Sequence, residues 1–205
     1  MLLAKLFSAG RQRETVPVFP LQTVLYPQAL LPLRIFEVRY MDMAKACLRD
    51  ARPFGICLIR EGQEVGAPAV PEKVGCLASL GECDMEELGI LKVVVTGLER
   101  FRIVSADATK QGLIVAEIEK LEPEAAATAA HGLAECAGFL GKAIAGIGAQ
   151  RFAEPFDFAD ATWVGFRLAE ILPLRIDVKQ KLLELTDAQL RLAVLHRFLR
   201  QQRLI

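Results

Sequence analysis

Val16-Pro-Val-Phe-Pro-Leu21 and, further on, Pro32-Leu-Arg-Ile-Phe-Glu-Val-Arg-Tyr40 are the stretches on which the fold turns. The first reads as a short edge strand, because Pro17 has no N–H to give to a ladder. Pro27 and Pro32 bracket Gln-Ala-Leu-Leu, a second short extended piece. From Phe36 to Ala51 the period changes: Phe36, Tyr40, Met43, Ala44 and Cys47 recur at helical spacing, which predicts one amphipathic helix. Glu37 near its start suits the helix dipole, and Arg34 is placed to pair with it.

Outward from there, Phe54-Gly-Ile-Cys-Leu-Ile reads as a buried strand, and Glu61 to Pro71, with Gly62, Gly66 and Pro68, as a loop. Three more strands are expected at Gly75–Cys83, Ile90–Val95 and Leu113–Ile118. The first two would pair as a hairpin through Glu86-Glu87-Leu88-Gly89, with Gly89 at positive φ. Phe101-Arg-Ile-Val continues the sheet after a break at Thr96-Gly97. Beyond Pro123 the spacing becomes helical. An Ala/Gly-rich helix is predicted over about Ala125 to Ala149, where Gly132, Cys136, Gly141, Ala145 and Gly148 would let two helix backbones approach closely. Asp160 opens a helix that Pro173 stops. Asp177 is placed to cap another through Leu185, and Thr186 or Asp187 to cap the last, with Leu190, Val194 and Phe198 on one face. The expectation is an α+β chain: a mostly antiparallel β lobe with one helix over residues 1–122, then a helical bundle over residues 123–205.

Composition narrows the function classes. The 205 residues are 53% hydrophobic, enough for a sizeable core. The 25 basic and 25 acidic side chains cancel. That balance gives no general attraction to nucleic acid or to an anionic membrane, and it leaves little repulsion against self-association, so a homo-oligomer is allowed. Five cysteines, an odd number with no Cys-x-x-Cys pair, fit a reducing compartment. No window approaches a membrane span and no secretory leader is evident, so a cytoplasmic location is expected.

Catalytic constellations are absent from the text. Gly138-Phe-Leu-Gly141-Lys142-Ala143 has the wrong spacing for a phosphate loop and lacks the hydroxyl that would hold magnesium. His131 and His196 each fall in a predicted helix with no nucleophile in view, and no Gly-x-Ser-x-Gly elbow occurs. Cys76 and Cys83 lack further ligands for a closed zinc site. Glu82, Asp84, Glu86 and Glu87 read as a solvated turn. Arg191, Arg197, Arg200 and Arg203 read as a solvated helix face, with too few aromatic residues among them for base stacking. Phe19, Leu21 and Tyr26, in Pro-flanked chain, are the candidates for contacting a peptide if they stay partly exposed. The alternative is that all three pack in the core.

The chain resembles the N-terminal, substrate-binding region of Lon-type proteases. The resemblance rests first on Val16 to Leu21 and on Pro32, Arg34, Phe36, Glu37, Arg39 and Tyr40. It continues through Val74-Gly75-Cys76-Leu-Ala, Leu91-Lys-Val-Val-Val-Thr-Gly-Leu-Glu-Arg-Phe-Arg-Ile103, Leu168-Ala-Glu-Ile-Leu-Pro-Leu and Lys179-Gln-Lys-Leu-Leu-Glu. Cys76 stands where the family usually has Thr, and Glu87-Leu88-Gly89 replaces its Asp-Gly turn. The resemblance implies a PUA-like β barrel followed by a helical bundle. It further implies a non-catalytic module that binds unfolded or tagged protein segments, as an adaptor or regulator in proteolysis, with no cofactor or metal. With the chain ending at Ile205, neither the ATPase nor the Ser-Lys peptidase of such proteases is expected. Two other functions stay open: RNA binding, by analogy with PUA-like folds, and a small-molecule activity in a pocket between the lobes.

Overall fold

The computed structural model describes residues 13–87, 89–125 and 127–205, with backbone alone at 82 and 85–87. The elements run β1 (Arg13–Leu21), β2 (Leu30–Ile35), α1 (Val38–Asp50), β3 (Phe54–Glu61), β4 (Val70–Pro71), β5 (Val74–Glu87), β6 (Ile90–Ala108) and β7 (Ile114–Lys120). The helical half follows as α2 (Leu133–Ile147), a 3-10 turn at Ala149–Arg151, α3 (Ala161–Ile171), α4 (Ile176–Glu184) and α5 (Ala188–Gln201). Among the described residues no helix is long and apolar enough to cross a membrane.

β1 is not an edge strand. It pairs antiparallel with β7 through Arg13–Val18 and parallel with β3 through Val18–Leu21. Those two pairings close the path β1-β7-β6-β5-β3 into a ring. The prolines are compatible with this because the two registers overlap only at Val18. Pro17 has a neighbour on the β7 side alone and Pro20 on the β3 side alone, so each proline meets one ladder only. Inside the ring Val16, Val18, Cys57, Leu77, Phe101, Ile114, Ala116 and Ile118 form a small core of their own.

β6 is one continuous strand through Thr96-Gly97, where a break was expected. Gly97 serves a close approach instead. Its N–H donates to Ala29 O, it accepts from Gln28 N, and a Cβ there would lie 2.1 Å from Tyr26 O. The β5–β6 hairpin forms as expected, Glu87 facing Ile90 and Gly89 at φ +86°, while Leu88 and the side chains of Glu82, Glu86 and Glu87 lie outside the described residues.

A second, larger core lies between the ring and the helices, reaching from Phe54 and Ile56 to Trp163, Leu168, Leu192 and Leu199. α2 is shorter than its composition suggested. It begins at Leu133, and it buries Leu133, Cys136, Leu140 and Ile144 rather than its glycine row. Gly141 meets only Phe158 at 3.9 Å and Ala145 is exposed; of that row Gly132, just before α2, makes the close approach, where a Cβ would lie 2.6 Å from the His196 ring of α5. Asp160 caps α3 where a helix start was expected, and of the two candidates Thr186 and Asp187 it is Asp187 that caps α5; each accepts from two N–H groups of its helix, and Asp160 also accepts from Ala127 N. Asp177 instead lies one residue inside α4, paired with Arg175. On α5 the buried face is Ala188, Arg191, Leu192, Leu195 and Leu199, whereas Leu190 and Val194 are exposed.

Arg191 was expected on a solvated face and is fully buried. It and Arg100 of β6 share the carboxylate of Glu124, whose side chain is only 3% exposed. Their remaining N–H groups donate to Leu182 O, Leu183 O and Leu185 O. These are the orphan carbonyls at the negative end of α4, so two cations cap that helix while one anion between them limits their repulsion. Phe166 of α3 presents its ring to both guanidiniums, 3.9 Å from Arg191 and 5.5 Å from Arg100. Burial pushes the Arg100 guanidinium below its ordinary value, and Glu124 opposes that shift.

Two outcomes follow. Gly97→Ala should cost about 1–3 kcal/mol by overpacking, read as a lower urea midpoint. Glu124→Gln should cost more, about 3–5 kcal/mol, because it strands two buried cations. An E124Q protein as stable as the parent would show that the network does not hold the halves together.

Candidate functional site

The residues that carried the resemblance converge on one hollow. β1 delivers Phe19 and Leu21, β2 delivers Leu31 to Ile35, and the start of α1 delivers Phe36, Glu37 and Tyr40. Phe19 stacks on Tyr40 with centroids 3.9 Å apart and planes 20° from parallel. Arg39 lies behind the hollow. Its guanidinium sits 4.7 Å over the Tyr40 ring, donates to Gly112 O at 2.9 Å, and pairs with Glu37 at 2.9 Å. Glu37 therefore pairs with Arg39 and occupies the N-cap position of α1, where its side chain makes no cap bond. Burial pushes the Tyr40 hydroxyl up, so it stays neutral.

The hollow encloses about 230 Å³. Its lining is mixed: Phe19, Leu21, Leu33 and Ile35 give apolar wall, Thr23, Arg34, Glu37 and Glu64 add polar groups, and Phe36, 53% exposed, and Val65, 55% exposed, form its mouth. Val38 beside it is 74% exposed. Large apolar side chains exposed together at the lip of a concavity are unusual unless something covers them. The Glu61–Pro71 segment, expected as a featureless loop, supplies Val65 and Glu64 and contains the two-residue strand β4. Glu64 accepts from Gln22 N, which ties that segment to the end of β1.

The three candidate peptide contacts separate. Phe19 and Leu21 are only 7% and 6% exposed and form the floor. Tyr26 is fully buried elsewhere, and its hydroxyl donates to Lys179 O at 2.9 Å, joining the β half to α4. The partial exposure on which their selection depended is not seen. The surface at this hollow comes from Phe36 and Val65 instead. Val65 was detectable in principle as one of two valines in a Gly/Pro-rich loop, but nothing in the sequence joined residue 65 to residue 36.

A second cavity, about 490 Å³, lies between the β half and the helices and touches Glu99, Glu122, Glu124, Arg100 and Phe166. Of its acids, Glu124 is held by Arg100 and Arg191, while Glu99 pairs with Lys120. His131 lies in the turn before α2 rather than in a helix. Its ring meets His196 edge-on at 5.5 Å, and His196 Nε2 lies 2.7 Å from Glu135. Among the described residues no cluster of three His, Cys, Asp or Glu side chains is arranged to hold a metal ion.

Residues 15–201 match the family model of the ATP-dependent protease La (LON) substrate-binding domain. The chain belongs to the LON substrate-binding domain family. A crystal structure of a Lon N-terminal domain protein from Xanthomonas campestris is 32% identical, with a TM-score of 0.75, over 89% of this chain and 96% of that one. The N-terminal domain of a Mycobacterium avium complex Lon protease covers the same shares at 21% identity and a TM-score of 0.65, a likeness of fold. In this LON substrate-binding domain the family motifs thus build one wall of a hollow and the first turn of α1.

All five cysteine thiols are pushed up by burial, Cys136 to about 11, which disfavours the nucleophilic thiolate at neutral pH. Cys83 alone is exposed. A thiol reagent should accordingly modify one cysteine in the native protein and all five after denaturation. Rapid native modification of two or more, counted by intact mass, would contradict this packing.

Proposed function

We propose that this LON substrate-binding domain recognises apolar segments of unfolded or tagged protein substrates, without chemistry of its own, as an adaptor or regulator in proteolysis. The observation that carries this is the exposed pair Phe36 and Val65 over the Phe19–Tyr40 floor. An apolar side chain entering there removes its own surface and that of both lip residues from water. Burial of one large side chain is worth about 1.5–3 kcal/mol before ordering costs. Weak, sequence-tolerant capture results, which suits a partner defined by being unfolded. RNA binding through the last helix has less support, since Arg191, the first of the four arginines, is inside the protein. The cavity between the halves is the place for a small molecule, yet its most buried acid is already neutralised by two arginines.

Phe36→Gln and Val65→Gln test the assignment. Each should weaken binding of a reduced, unfolded protein about tenfold, about 1.4 kcal/mol, while the melting temperature stays within about 2 °C because neither side chain is in the core. Unchanged affinity in both variants would sink it.

A further inference from the structure

The hollow at Phe36 does not stand alone on β2. A shallow concavity of about 950 Å³ opens over the solvent face of β2 and β6, and another of about 450 Å³ lies where that sheet meets the helices at Ile147, Phe152 and Ile171. Pro32 lines all three. Leu33 and Arg34 are common to the first two, and Val94 to the last two. Shared walls make these concavities stretches of one track that follows β2 from Phe36 back to Leu30. Exposed apolar side chains stand at both ends, Phe36 and Val65 at one and Ile147 at 40% at the other, while in the middle Val94 at 39% is accompanied by the charged Arg34, Asp84 and Lys92.

The strand itself says how a chain would lie there. Among the described residues β2 pairs with β6 alone, so no other described strand bonds to its second edge. Pro32 in its centre has no N–H, and a guest strand could not complete a ladder past it. A guest must be held by side chains in the hollows. At the far hollow the acid is already partnered: Glu170 Oε2 lies 3.2 Å from Arg167 Nε. Gln150 and Arg151 also line this hollow, and its apolar wall for a guest side chain is Ile147, Phe152 and Ile171.

Resting on the recognition proposed above, we infer that the track carries a second apolar subsite at Ile147, Phe152 and Ile171. The preferred substrate is then an extended segment with two bulky apolar residues separated by about the length of β2. An extended chain rises about 3.3 Å per residue, so the distance from Leu30 to Phe36 is roughly 20 Å and a guest needs its anchors about five or six positions apart. Once one anchor is seated, the second binds from a high effective concentration.

The test uses the whole chain and labelled Gly/Ser peptides carrying one phenylalanine, or two at increasing separation, followed by fluorescence anisotropy. Two-phenylalanine peptides should bind most tightly at a separation of five or six positions, about tenfold (about 1.4 kcal/mol) below the one-phenylalanine Kd. Ile147→Gln and Ile147→Ala should remove that gain and leave the one-phenylalanine peptide unaffected, whereas Phe36→Gln should weaken both. Affinity independent of separation, or a gain that survives both Ile147 substitutions, overturns the second subsite while the first stands. A one-phenylalanine peptide indifferent to Phe36→Gln overturns the first as well.

Discussion

One buried carboxylate holds the architecture together. Glu124 sits just past the last strand of the ring, and the two arginines that share it come from β6 and from α5. Without it the two guanidiniums would face each other in a poorly solvated space. With it, both are fixed in position to satisfy the carbonyls that end α4. The arrangement joins three chain segments through groups that each need the other two. Tyr26 to Lys179 O, Gln180 to Val74 O, and Arg167 to Pro27 O and Gln28 O add further ties of a side chain to a backbone carbonyl. The helical half is thus docked on the ring by directional bonds as well as by apolar surface.

That docking shapes the proposed binding surface. The far concavity on β2 exists only because Ile147, Phe152 and Ile171 are held against the sheet. The near one is built within the β half by β1, β2, the start of α1 and the loop carrying Val65, and is held by the Phe19–Tyr40 stack and the Arg39 bonds to Glu37 and Gly112. A polypeptide passing along β2 therefore touches both halves, and loosening Glu124 would alter one end of its path while leaving the other intact.

Much of this was legible in the sequence, and the limits have physical causes. Period and punctuation placed α1, β3, the β5–β6 hairpin and the Asp160 and Asp187 caps, all of which are local. What escaped depends on partners distant in the chain. Pro17 marks an edge by any local rule, yet β1 closes the ring because its two neighbours overlap at a single residue. Gly97 resembles a breaker until Tyr26 O is seen beside it. Arg191 follows the spacing of a charged surface row, and only Glu124 and the end of α4 explain why it is inside. At the hollow, the family motifs gave the floor and the helix start. The exposed lip required knowing that the loop carrying Val65 folds back over Phe36.

The ring closure also orders events in time. As the chain leaves the ribosome, β1 emerges first, but its antiparallel partner β7 follows about a hundred residues later, roughly 5–20 s at 5–20 residues per second. For that interval Val16, Val18, Phe19 and Leu21 form a β-prone apolar segment without its native neighbours. Pro17 and Pro20 interrupt its hydrogen-bonding edge, which makes it a poor template for pairing with another nascent copy. The same two prolines that fit the finished ring through its staggered registers thereby protect the strand while the ring is still open.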